Sequence, residues 1–202
     1  MKYTRIGSLE GYLRIAGKQW LLTTLKKTYI LHIMSLLNLL FGSNGQGKKT
    51  LNINKLINSD DIDASIIRID EHIRNLCEFG EHMDSLSDPQ KIFYYIQSCK
   101  REIINGGFNQ FYQNPSGDFA RETYESLRII GAYKTANIVM RANDQFPGNE
   151  VPKDRSARQK LLAQIQDKAN EVWKELNQRF LADEEDLNAF TIDFVRKNKA
   201  FF

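Results

Sequence analysis

The sequence predicts an all-α fold, a compact multi-helix bundle with αα-hairpins, and three observations carry that prediction. From residue 51 onward, apolar residues return at spacings of three and four, the period of one helix face. Only four prolines occur in 202 residues, and no run alternates as a strand would. The joins between periodic stretches are short, which sets successive helices antiparallel. The length suits one domain plus an extension, with enough chain to bury a core.

The extension comes first. Residues 1–50 carry eight basic groups and one acid, a net of +7, whereas residues 51–202 carry twenty basic and twenty-four acidic groups, a net of −4. We therefore divide the chain into a basic N-terminal extension with a Gly-rich linker, 1–50, and a helical domain, 51–202. The extension is expected to be poorly structured or extraneous. Gly7, Gly11 and Gly17 interrupt any helix, and the apolar run Tyr29 to Phe41 is shorter than the ~20 residues of a membrane span. Met34 reads as a natural start, which would place 1–33 upstream of the true beginning. The stretch Gly42 to Thr50 nearly matches a phosphate-binding loop, but Lys49 stands where the magnesium-binding hydroxyl belongs. We read it as a flexible linker.

The helices follow in order. Ile62, Ile66, Ile69, Ile73 and Leu76 line one face of the first, with Asp60, Asp61 and Asp63 at its positive end and Gly80 as its stop. Ser87-Asp88-Pro89 opens the second, whose stripe is Ile92, Phe93, Ile96, Cys99 and Ile103. Asn105-Gly106-Gly107 should end it, Gly reaching positive φ without a Cβ clash. A short turn with Phe108, Phe111 and Tyr112 then leads to a second stop, Asn114-Pro115-Ser116-Gly117. Residues 118–130 form a helix packing Phe119, Tyr124 and Leu127. Gly131 separates it from another through Ala136, Val139 and Met140. A long helix from about Ser156 buries Leu162, Ile165, Ala169, Val172, Trp173, Leu176 and Phe180. The last, from Asp183, docks through Leu187, Phe190, Phe194 and Phe201.

The aromatic turn carries a resemblance. Asn105, Gly106, Gly107, Phe108, Gln110, Phe111, Tyr112, Asn114, Ser116 and Gly117 resemble the signature of a bacterial family named after a DNA mimic protein and formerly carried as a domain of unknown function. The similarity continues through Glu122, Thr123, Glu125 to Leu127, Ile130 to Ala132, Ala136 and Phe146-Pro147, with a weaker echo at Asp183 to Leu187. It spans roughly residues 60–202. The signature residues themselves read as structural, a plug of aromatics between two helices. The resemblance implies a non-enzymatic protein that binds another protein, a DNA-binding regulator, through an acidic surface.

Chemistry-bearing patterns are sparse. His32, His72 and His82 have no metal-site spacing, and Cys77 and Cys99 read as buried, reduced thiols. No nucleophile elbow, zinc-protease motif or dinucleotide fingerprint occurs. Asp118, Glu122 and Glu125 share a helix face, which the helix dipole explains more simply than acid–base catalysis. We expect no catalytic, cofactor or metal site.

The candidate partner-binding residues are Asp60, Asp61, Asp63, Asp70, Glu71 and Glu78, since residues 60–88 hold nine acids against two bases. A helix from 60 to 78 is about 28 Å long, and duplex DNA of that length carries roughly sixteen charges. Six carboxylates are a thin imitation of it. The expectation is a cytoplasmic protein-binding domain with no membrane contact and no direct nucleic-acid contact, and a homodimer is compatible with it. The alternative is a nucleic-acid-binding protein that uses the basic arm, residues 1–50.

Overall fold

Polar side chains mark most of the helix starts in the computed structural model, which describes residues 51–182 and 185–202. Asn52 accepts from the Lys55 amide at 3.1 Å and opens α1, Ile53–Ile57; Asp61 accepts from the Ala64 amide at 2.9 Å and opens α2, Ile62–Leu76. Gln90 reaches back to the Ser87 amide at 2.9 Å at the start of α3, Asp88–Gln113. The helices α4, Ala120–Ile130, and α5, Tyr133–Asn143, make the expected αα-hairpin. Gly131, at φ 90°, turns the corner between them. Asp154 caps the long α6, Arg155–Leu181, and Asp186 caps α7, Leu187–Lys197. The readings made on residues 1–50, and on Asp183 and Glu184, lie outside the described residues.

Two apolar clusters hold the helices together. The larger joins the later part of α3 to α4, α5 and α6 through Phe108, Phe111, Tyr112, Leu127, Val139, Phe146, Trp173 and Leu176. The smaller joins α1, α2, the early part of α3 and α7 through Ile66, Ile69, Ile73, Cys77, Phe93, Ile192 and Val195. The isoleucine stripe thus ends on Cys77, and Leu76 faces solvent. The residues Glu78 and Phe79, both at positive φ, turn the chain away before Gly80. At the far end, α7 starts at Leu187 and docks through Leu187, Ile192 and Val195, with Phe190 packed partly buried against the larger cluster as expected. Phe201 is exposed. Its neighbour Phe202 meets Phe93 edge-on at 5.8 Å instead.

The regular helix breaks at the glycines as expected: the backbone is non-helical at Gly106 and Gly107, so α3 is two helical segments joined at a kink, the second carrying the aromatics. Gly107, not Gly106, takes the positive φ of 75°, and the Asn177 side chain of α6 accepts the Phe108 N–H at 2.9 Å. A Cβ on Gly107 would sit 2.4 Å from Asn177 Nδ2, so a side chain is excluded twice over. Across the kink, Gln110 and Asn114 both donate to Glu102 Oε2 at 2.7 Å.

The turn closes over a buried cation that the sequence reading passed over. Arg158, on α6, is 0% exposed. Its Nε donates to the Tyr112 carbonyl at 2.8 Å, Nη1 to those of Pro152 and Lys153 at 2.7 and 3.0 Å, and Nη2 to that of Asn114 at 3.1 Å and to the Asp118 carboxylate. Gly117 is required because a Cβ there would meet Arg158 Nε and the Phe111 carbonyl, each at 2.8 Å. The Tyr112 hydroxyl donates to Asn143 at 2.7 Å, which ties the same turn to α5.

Two substitutions test this core. Phe111→Ala should destabilise the domain by ~3–5 kcal/mol in urea unfolding, the range for truncating a buried aromatic. Arg158→Met should cost at least ~1–3 kcal/mol, because it leaves several buried carbonyls without a donor, whereas Asp118, 36% exposed, returns to water. An unchanged urea midpoint in either variant would refute its assignment.

Candidate functional site

The six candidate acids do not form one surface. Asp60, Asp61 and Asp63 are exposed at the start of α2, where carboxylates favour the positive end of the helix dipole. The chain returns to the same place at Asp186, and a shallow depression is lined by Asp60, Asp61, Ile62, Asp63 and Asp186. Asn188 holds the two segments together: its Nδ2 donates to Asp63 at 2.6 Å, and its Oδ1 accepts from Lys100 at 2.9 Å. Among the described residues, none of these four carboxylates forms an ion pair. Glu71 is exposed further along the helix. Glu78, past its end, faces His82 at 3.7 Å.

Asp70 departs from the set. It is 9% exposed and gives one oxygen, Oδ2, to both Arg74 at 3.0 Å and Arg101 at 2.7 Å. The reason lies in the helical step. Asp70 is four residues after Ile66 and three before Ile73, which puts it on the margin of the buried stripe rather than opposite it. Asp186, absent from the six, joins the cluster from more than a hundred residues away. Only the acidic echo near the end of the chain hinted at it.

Asp118, just before α4, and Glu122 and Glu125 on it each meet a cation. Asp118 pairs with Arg158, Glu122 with Lys153, and Glu125 with Arg121 at 2.9 Å. They border a cleft of about 640 Å³ in which Asp144 and Glu150 also lie. Among the described residues Asp144 and Glu150 form no ion pair, so the cleft holds unpaired carboxylates beside the paired ones. Glu185 is structural. Its carboxylate accepts the Lys134 and Thr135 amides at 2.9 and 2.7 Å and the Thr135 hydroxyl at 2.9 Å. It thereby caps α5, which has no side-chain cap of its own.

A family model described as DMP19-like protein matches residues 84–198. The chain belongs to that family. A search of the curated proteins and one of the solved structures each returned no match. The DMP19-like segment contains the kinked helix, the Arg158 cradle, and the caps Glu185 and Asp186. It begins later than the resemblance suggested, so Asp60, Asp61 and Asp63 precede it. The acidic depression therefore joins a DMP19-like carboxylate, Asp186, to three from outside the matched segment.

The remaining reactive groups are muted by burial. Both cysteines are buried free thiols, and desolvation pushes their pKa values up, which disfavours the nucleophilic thiolate. Among the described residues, no group of three or more His, Cys, Asp or Glu is placed to hold a metal ion. Likewise, no helix there is long and apolar enough to cross a membrane.

His72 supplies a pH test. Burial lowers its pKa below the ordinary 6.5, so the unfolded chain takes up this proton first. Its contribution to stability is therefore present above about pH 6.5 and lost as the pH falls below it. His72→Gln should flatten the difference between urea midpoints measured on the two sides of that value. An identical pH profile in the variant would show that His72 does not contribute.

Proposed function

We propose that this DMP19-like chain is a non-enzymatic protein-binding module whose acidic edge engages the basic surface of a DNA-binding protein. The observation that carries the proposal is the convergence of Asp60, Asp61, Asp63 and Asp186 on one depression with no ion-pair partner among the described residues. Like charges gathered without compensation are unfavourable in the isolated domain, and a cationic surface would relieve them. Glu71, farther along α2, and Glu78, past its end, are exposed but do not line this depression. Asp70 adds nothing to it, since two arginines already neutralise it.

The density of acids on and around α2 bears on mimicry. Asp60, Asp61, Asp63, Glu71 and Glu78 offer five carboxylates along a length of duplex that carries roughly sixteen phosphates. Attraction of a basic partner needs only the field; replacing DNA in a DNA-binding site needs the spacing as well. We therefore propose an acidic protein interface, with competition against DNA as the measure of true mimicry.

The test is affinity capture from the native host with Asp60→Lys combined with Asp63→Lys. Asp61 is spared because it caps α2, and Asp70 because it is buried. The double variant should stay folded, losing up to ~1 kcal/mol for the helix start and roughly 1 kcal/mol more for the Asn188 hydrogen bond to Asp63, while the captured partner falls steeply. Capture by the unaltered chain should fade as salt rises and be indifferent to added duplex DNA. Equal retention by the double variant, or capture insensitive to salt, would remove the acidic reading. Competition by DNA would instead establish mimicry.

A further inference from the structure

The Asn105-Gly106 junction in the kink of α3 takes no part in the acidic edge, and it carries a chemistry of its own. When asparagine precedes glycine, the glycine nitrogen can attack the asparagine side-chain amide, because no Cβ crowds the closing ring. A regular helix holds its backbone too firmly for that ring to form. Here regular geometry stops at the junction: Gly106 lies at φ −167° and Gly107 at φ 75°. Asn105 and Gly106 are both exposed, and the Asn105 side chain makes no hydrogen bond among the described residues. Asn143 differs in each respect. It is buried, is bonded to Tyr112 and Ala120, and precedes Asp144.

Ring closure requires the peptide plane between residues 105 and 106 to rotate, and the structure locates the slack for it. Upstream, Ile103 is anchored in the core. Downstream, the Phe108 N–H donates to Asn177 Oδ1 at 2.9 Å and the Phe108 ring is fully buried. Gly106 sits between these anchors and absorbs a rotation without a side chain to clash. The surroundings also give the product a partner. Asn105 lies one helical turn after Arg101, and both face the surface between α2 and α3 together with Asp70. Arg101 Nη1 donates to Asp70 Oδ2 at 2.7 Å, an ion pair that joins α2 to α3. A carboxylate at position 105 would compete with Asp70 for that guanidinium.

We propose that Asn105 is a site of spontaneous deamidation, which places a carboxylate at the kink and weakens the Asp70–Arg101 pair. The Gly106 nitrogen gives its proton to hydroxide and bonds to Asn105 Cγ. The Cγ–N bond of the side-chain amide breaks, ammonia leaves with a proton from water, and a succinimide remains. Water then opens that ring. Breaking the new bond to Cγ gives aspartate; breaking the bond to the backbone carbonyl carbon gives isoaspartate, with the main chain rerouted through Cγ. In sum one amide and one water become one carboxylate and one ammonium, with no oxidant or reductant. The isoaspartate form lengthens the main chain by one carbon beside Gly107, which has no room to move towards Asn177, so the kink must rearrange.

The test is timed incubation of the full, folded chain in mildly alkaline buffer made with heavy-oxygen water, followed by peptide mass mapping. Residue 105 should lose its amide and gain one heavy oxygen atom, with isoaspartate exceeding aspartate. It should do so severalfold faster than Asn149, which is also exposed but precedes Glu150. The rate should rise with pH, as attack by a deprotonated backbone nitrogen requires. Asn105→Gln, whose longer side chain must close a larger ring, should keep the fold and suppress the reaction. Conversion in the urea-unfolded chain but not in the folded one would overturn the proposal, because the kink would then protect the junction. A rate no greater than that of Asn149 would overturn it equally. The consequence for Arg101 is read separately, from a double-mutant cycle of Asp70→Asn and Arg101→Gln. With Asn105→Asp in the background, the coupling between the two should fall severalfold; an unchanged coupling would show that the new charge does not reach the ion pair.

Discussion

A guanidinium taken wholly out of water must be given hydrogen-bond acceptors, and Arg158 draws its acceptors from three stretches of chain. The carbonyls of Tyr112 and Asn114 end α3, those of Pro152 and Lys153 lead into α6, and Asp118 precedes α4. Each acceptor must be aimed inward, so the loops between these helices are fixed in path and length. The aromatics then pack around this polar hub: Tyr112 lies 5.1 Å from Trp173 and 4.8 Å from Phe146. Charge satisfaction and apolar packing thus specify the same turn.

That hub explains why the signature is dense in glycines and amides. Gly107 gives Asn177 access to the backbone at the kink, and Gly117 leaves room for the guanidinium. Gln110 and Asn114 tie the helix together across the break through Glu102. None of these groups needs to touch a ligand. Their density reflects a narrow steric and hydrogen-bonding solution, while the candidate interaction surface lies elsewhere, at the start of α2 and its junction with α7.

The acidic edge depends on the architecture in a second way. Asp186 sits at φ 51° as the cap of α7, next to Glu185, which caps α5. One short acidic stretch therefore caps two helices. Its placement brings Asp186 to the start of α2, so the exposed carboxylates of the edge belong to the ends of helices whose packing is already fixed. The exposed carboxylates here are held in place by helix capping, not by a separate loop.

Local pattern determined much of this protein. Periodicity marked the stripes from Ile66 to Ile73 and from Phe93 to Ile103, and glycine marked the corner at Gly131, because a helix repeats its burial every turn and a tight corner needs positive φ. The aromatic turn was legible as a plug for the same reason. The partners that join distant segments were not. Arg158 reads as an ordinary polar position on a long helix, and only the approach of three loops turns it inward. Asp70 reads as one acid among six, and only Arg101, from a different helix, draws it into a buried pair. Asp186 meets Asp60 through the docking of α7. Burial of a charge depends on what neighbouring elements bring to it, which a one-dimensional pattern does not contain, so the tertiary structure decided which carboxylates face solvent.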